Sequence, residues 1–207
     1  QINSSEKSSG TTITVAGSDA TSGVASVTLY KGANTNTNLR TVTRTATAGN
    51  SSLAVSVLSS DLTSEGTNTF TVVETDAAGN TASGTVDISL DTVSPAVTYT
   101  APAANATVNK LIDVSGKVTD ATSGINTASG ILQIYNQSAE KWETAVNAVG
   151  TSYTVSCAAD GSWNVSAFNT EKYYDGVNST NYDSDTAAAG VQFTLRARFS
   201  DKYGNTS

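Results

Sequence analysis

Five aspartates carry the spacing that could do chemistry. Asp19 lies in "SDATSGV" (18–24) and Asp120 in the nearly identical "TDATSGI" (119–125). Asp76 in "TDAAGN" (75–80) and Asp201 in "SDKYGN" (200–205) share a second pattern, Asp-x-x-Gly-Asn. Asp91 stands between the two sets, in "SLDTVSP". Carboxylates brought close together repel one another and resist ionising. A hard cation resolves that conflict, and calcium accepts about 6–8 oxygen ligands from carboxylates, carbonyls and water. The same residues also have a plainer use. Asp at the first position of a type I turn with Gly at the fourth is favoured without any ligand, and Asp caps turns through its own backbone. Both readings stand at this point.

The rest of the composition narrows the chemistry. The chain has 207 residues and a formal charge of −7, from 11 basic and 18 acidic side chains. An acidic surface repels nucleic acid and anionic lipid, so neither is expected as a main partner. No apolar run approaches the roughly 18 residues of a membrane span, so no direct membrane insertion is expected. There is no His, which removes the usual general base and the usual zinc ligand. Cys157 is the single cysteine, so neither an intrachain disulfide nor a Cys-x-x-Cys metal site is possible. Its neighbours alternate as Tyr153, Val155, Cys157, which reads as one face of a strand with Cys157 a small buried apolar residue. No nucleophile elbow, P-loop or dinucleotide fingerprint occurs. A glycosidase needs two carboxylates with distinct roles in one pocket. Here the acids fall on equivalent loops of a repeat, and no catalysis is expected.

Those loops need elements to position them. The two motif pairs imply two copies of one unit, the second with longer loops. The boundary lies near "DISLDTVSPAVTYT", where Pro95 ends ladder pairing or opens an edge strand. The units are therefore expected at 1–90 and 91–207. Each reads as a series of short alternating strands. The first has "TITVAG", "ASVTLY", "SLAVSVL", "NTFTVVE" and "TVDISL". The second has "LIDVSGKV", "ILQIYN", "SYTVSC", "SWNVSAF" and "VQFTLRARF", the last with Phe193, Leu195, Ala197 and Phe199 on one face. The pattern predicts an all-β protein of two tandem immunoglobulin-like β-sandwich domains. The ends are uneven. Unit one starts without a counterpart of "DTVSPAV", and unit two stops without a counterpart of "TASGTVDISL". A missing first strand and a missing last strand are the expectation, left either by arbitrary boundaries or by strands that a neighbouring subunit supplies.

At "DTVSPAVTYTAPAANATV", "VSGKVTDATSGI", "DGSWNVSAF" and "DKYGN" the chain resembles the bacterial Ig-like repeats of large surface proteins and adhesins. That resemblance implies tandem stalks, often stiffened by calcium, on the outside of a cell. In such a sandwich the turn after the second strand, the turn near the end and the chain entry share one pole. Asp91, Asp120 and Asp201 are then expected to converge in unit two, with Asn205 and loop carbonyls completing a calcium shell. Asp19, Asp76 and Asn80 would build a smaller shell in unit one.

Weaker signals remain. Tyr173, Tyr174 and Tyr182 lie in the insertion "EKYYDGVNSTNYDSD", where they either contact a glycan or protein or seal the end of the sandwich. Trp163 reads as core; Trp142 is undecided. The sequence thus supports an extracellular structural and adhesive module. Two alternatives stay open, a self-assembling surface-layer or filament subunit completed by strand donation, and a carbohydrate-binding accessory domain of a secreted enzyme. The partners expected are neighbouring repeats, identical subunits, or a host or matrix protein or glycan.

Overall fold

The computed structural model describes residues 1–108, 110–136, 140–147, 149–170, 172–173, 182–183 and 194–207. They form two compact units, Gln1–Thr92 and Val93–Ser207. Both are β-sandwiches of the Ig-like kind, and the fold class is the one the alternation predicts. Phe193 and Tyr174 lie outside the described residues. No helix among the described residues is long and apolar enough to cross a membrane.

In the first unit, strands β1 (Thr11–Asp19) and β4 (Gly49–Val57) pair antiparallel as one sheet. The other sheet has the order β3-β2-β5-β6, from β2 (Val24–Lys31), β3 (Asn38–Thr43), β5 (Gly66–Asp76) and β6 (Thr81–Leu90). Alternation decides which face goes inside. In β4 the buried residues are Ser51, Leu53, Val55 and Val57, each separated by an exposed neighbour. They meet Val27, Leu29, Phe70, Val72 and Leu90 of the other sheet in one core.

The opening segment is not the featureless stretch it looks. Ile2 is buried and bridges Leu90 in a parallel sense, its N–H donating to the Ser89 carbonyl at 2.9 Å. A short helix, α1 (Ser4–Ser9), follows. Asn3 Oδ1 accepts the Glu6 N–H at 2.9 Å, and Glu6 Oε2 accepts the Asn3 N–H at 3.0 Å. This reciprocal cap satisfies two donors that the first helical turn leaves open. The strand pattern hid it, because a single polar turn has no apolar period to read.

In the second unit β7 (Ala96–Ala101), β8 (Leu111–Thr119), β11 (Ser156–Cys157) and β12 (Ser162–Asn169) form a sheet of order β11-β12-β8-β7. β9 (Ile131–Asn136), β10 (Lys141–Thr144) and β15 (Leu195–Arg198) form the second, of order β10-β9-β15. A two-residue pair, β13 (Lys172–Tyr173) with β14 (Tyr182–Asp183), stands apart. β8 and β1 are equivalent in that each runs into the repeated heptapeptide. Among the described strands β8 pairs with β7 and β12 whereas β1 pairs only with β4, and β5 pairs with β6 whereas β15 pairs only with β9.

The second core is more aromatic. Trp163 is 2% exposed, with Tyr99 edge-on at 5.4 Å and Phe199 at 6.0 Å between ring centroids. Tyr99 also ties the two sheets together, its hydroxyl accepting the Ala197 N–H at 2.9 Å. Trp142 is half-buried on the other sheet, with the Arg196 guanidinium 4.3 Å above its ring. Tyr153, Val155 and Cys157 all pack against the core, although the strand there is only two residues long. The reason is a change of partner: Thr154 bridges Ile131 of one sheet, and Ser156 and Cys157 pair with β12 of the other.

Phe70 and Phe168 are each fully buried in their unit's core. Replacing either by Ala is expected to cost about 3–5 kcal/mol, read as a lower midpoint in chemical denaturation. A cost below about 1 kcal/mol at both sites would mean that these rings do not hold the sandwiches together.

Candidate metal centre

Turn chemistry comes first, because it sets where each carboxylate points. Asp120 Oδ1 accepts the N–H groups of Thr122, Ser123 and Gly124 at 3.1, 2.9 and 2.8 Å. Asp19 Oδ1 does the same for Thr21, Ser22 and Gly23 at 3.0, 2.6 and 2.6 Å. The glycines that close the two turns have φ of +78° and +77°, a left-handed conformation that side chains disfavour. The heptapeptide is thus one turn built twice.

The second motif repeats in the same way. Asp201 Oδ1 accepts the N–H groups of Tyr203 and Asn205 at 2.7 and 3.0 Å, and Oδ2 accepts Asn205 Nδ2 at 2.6 Å. Asp76 accepts the N–H groups of Ala78 and Asn80 at 2.9 and 2.7 Å, with Asn80 Nδ2 on Oδ2 at 2.7 Å. Asn205 therefore sits beside Asp201 with its amide nitrogen turned to that carboxylate, and Asn80 does the same for Asp76.

The copies differ in what surrounds these turns. Asp19 and Asp76 are half-buried, and their carboxyls are held below the ordinary aspartate value by hydrogen bonds. For Asp19 the main donors are the N–H groups of Gly23 and Ser22. For Asp76 the Asn80 side chain comes first. Among the described residues no third acidic group joins them in a cluster.

At the second pair of turns Asp91, just before the unit boundary, adds a third carboxylate. Ala96 opposes Thr119 in the β7–β8 ladder, so the segment entering β7 runs beside the residue that follows β8, Asp120. A bridge between Ile125 and Asp201 brings the other turn to the same end. Asp91, Asp120 and Asp201 each offer a carboxylate oxygen, and these three atoms lie within 4.8 Å of one another. Asp91 and Asp201 are 0% and 1% exposed. Asp120 Oδ2 is buried and accepts no hydrogen bond, while its Oδ1 is occupied by the turn.

Two charges 4.8 Å apart repel by about 3 kcal/mol at an effective dielectric of about 20. A cation between three carboxylates so placed offsets that repulsion. The donor set, all oxygen and all anionic, suits a hard ion such as calcium rather than a soft one. The buried, unpartnered Oδ2 of Asp120 fits the same role. Asp91, Asp120 and Asp201 are the residues that would hold such an ion, with Asn205 positioning Asp201.

Of the tyrosines, Tyr173 and Tyr182 pair with each other through their backbones, and Tyr174 lies outside the described residues. Glu74 was not singled out by its sequence, although Phe70, Val72 and Glu74 share one face of β5. It points inward, where Gly17 leaves room for its carboxyl group, and its Oε1 is buried without a hydrogen bond.

No protein-family model and no curated protein matches the chain. Several solved structures are similar to it, three of which follow. The fibronectin(III)-like modules of Clostridium thermocellum CbhA are 12% identical, cover 96% of this chain and 81% of their own, and have a TM-score of 0.36. A 1.5-MDa bacterial ice-binding adhesin, described for its host cell surface retention, is 27% identical over 99% of this chain, with a TM-score of 0.46. A Ca2+-stabilized adhesin that helps an Antarctic bacterium reach out and bind ice is 28% identical over 100% of this chain, with a TM-score of 0.43. The chain spans 56% and 43% of the lengths of those two adhesin structures.

The depressed carboxyls make a pH prediction. The charged forms of Asp19 and Asp76 stabilise the folded chain above the ordinary value of 3.8, and this contribution is lost as pH falls through their lower folded values. D19N and D76N keep an acceptor oxygen for the turn but cannot titrate. Their melting temperatures should fall less steeply than that of the parent between about pH 4 and pH 2. Parallel pH profiles would show that these turns gain nothing from the charge.

Proposed function

We propose that this chain is a non-catalytic, extracellular structural segment of a bacterial surface protein, in which a calcium ion held by Asp91, Asp120 and Asp201 stiffens the segment leading into the second sandwich. The observation that carries this reading is the triad, two of its members buried and one half-buried, with a buried Asp120 oxygen that accepts no hydrogen bond. Tandem Ig-like units and a chain rich in Thr, Ser and Asn, with 14% charged residues, support the extracellular part. A cation there would tie residue 91, just before β7, to the two loops that follow β8 and β15. That adds an ion to the anchors this segment already has, the Ile2 carbonyl for the Asp91 N–H and the Glu65 carboxylate for the Thr92 N–H. The mechanical result is a stalk that transmits position and force to whatever lies beyond it.

Binding to the folded form alone raises stability by mass action, about 2.7 kcal/mol when the free ion is at 100 times its Kd. Thermal unfolding with added calcium and with excess chelator, at fixed protein concentration, tests this. The melting temperature should rise with free calcium, and the rise should shrink in D120N and D201N. Asp19→Asn should leave it intact. Superimposable melts with calcium and chelator would sink the calcium reading and leave Asp19, Asp76, Asp120 and Asp201 as turn formers.

A further inference from the structure

Trp142 and Arg196 have no part in the reading above, and the sheet face they share is chemically unlike its counterpart in the first unit. Register decides which residues share it, because directly opposed residues of an antiparallel pair lie on one face. Tyr135 opposes Trp142, Gln133 opposes both Thr144 and Arg196, and Ile131 opposes Arg198. The other face of these strands carries Leu132, Ile134, Leu195 and Ala197 to the core. Tyr135, Trp142, Arg196 and Arg198 therefore lie on the outward face, and each is half-buried.

These side chains are ordered by one another. The Tyr135 and Trp142 rings meet edge to face, 5.3 Å between centroids. The Arg196 guanidinium lies 4.3 Å from the centre of the Trp142 ring, and its Nε donates to Gln133 Oε1 at 2.8 Å. Arg198 Nη2 donates to Thr206 Oγ1 at 2.9 Å. Neither guanidinium is ion-paired among the described residues. The one acidic residue of β9, β10 and β15 is Glu143, which opposes Ile134 and so belongs to the inner side, where it pairs with Lys141 at 3.0 Å.

The first unit shows that the fold does not require this arrangement. Counted back from the aspartate that follows each strand, Thr71 and Val73 of β5 stand where Arg196 and Arg198 do. The outward face there is joined by hydroxyls, with Thr28 and Thr41 bonded at 2.9 Å. A chain with a formal charge of −7 thus gathers two cations and two aromatic rings on one sheet face of one unit. Charge complementarity names an anionic occupant. A guanidinium fork matches a carboxylate through two parallel hydrogen bonds. Aromatic rings are rigid, amphipathic platforms, and the apolar C–H face of a sugar ring packs against them. A protein partner would need an apolar anchor in a pocket, and none of the chain's exposed large aliphatic side chains stands on this face among the described residues.

We propose that the outward face of β9, β10 and β15 binds an acidic polysaccharide, its sugar rings on Tyr135 and Trp142 and its carboxylates on Arg196 and Arg198. The proposal does not depend on a cation at the aspartate triad.

Polygalacturonate, a carboxylated sugar chain, is the probe. Dextran serves as the neutral sugar chain, polyglutamate as a carboxylated chain without sugar rings, and oligothymidylate as single-stranded nucleic acid. Binding to the whole chain is followed by affinity electrophoresis and tryptophan fluorescence in excess chelator, so calcium cannot bridge carboxylates and the fate of the calcium reading leaves the result untouched. Polygalacturonate should bind, and added salt should weaken it. R196K keeps the charge but loses the fork, and W142A removes the platform; each should weaken binding by about tenfold. R198K tests the second fork without disturbing the aromatic pair, and R44Q, which removes a cation from the first unit, should bind like the parent. Melting temperatures of the variants separate lost binding from lost folding. Absence of polygalacturonate binding, equal binding of polyglutamate or oligothymidylate, or binding unchanged in both R196K and R198K overturns the proposal and leaves these side chains as packing on a sheet face.

Discussion

Each strand in these units has two faces, and one of them has to be dry. Burying apolar side chains from two sheets against each other is what holds the fold together, and everything else is arranged around it. β4 shows the constraint in its barest form, with Leu53, Val55 and Val57 inside and their neighbours in water. Once the inner faces are set, register follows, because a slip of one residue would send the apolar set outside. The turns are then forced to close at fixed places. That is why the aspartates gather at strand ends and in the turns between strands.

The two copies show how one local design acquires different meanings. The heptapeptide turn is the same in both, with one carboxylate oxygen accepting three successive N–H groups. In the first copy no third acidic group among the described residues joins the carboxylate. In the second, the entry into β7 brings Asp91 to it, and the same residue type becomes part of a buried triad. Ladder pairing makes the difference, since among the described strands β8 pairs with β7 and β12 whereas β1 pairs only with β4. The bland reading of the motif therefore accounts for Asp19, and it does not account for the second oxygen of Asp120.

Buried polar groups are costly unless paired, and this chain keeps several. Lys31, Asp61 and Asn68 are matched group by group across three loop and strand ends. Glu74 and Trp163 each keep a buried polar atom with no hydrogen bond. The first unit thus concentrates its polar order at the β2–β5 end, and the second at the β8–β15 end.

The alternation of Val, Leu and Phe with Thr and Ser determined that the chain is all β, and the repeated turns determined that it is built from two units. The same strings named the aspartates, since a carboxylate four residues ahead of a left-handed glycine is a local device that needs no partner. What only the tertiary structure decided is company. That Asp91 lies beside Asp120 and Asp201 depends on the register of β7 against β8 and on the bridge at Ile125. That Lys31 meets Asn68 depends on the pairing of strands far apart in the chain. The helix at Ser4–Ser9 and the inward Glu74 were written in the sequence too, one as a capping box and one as a strand phase. Both were masked by polarity, because a hydrophobic pattern is read from its apolar members. Local codes fix a residue's conformation; which charges it must share a site with is set by contacts that no short window contains.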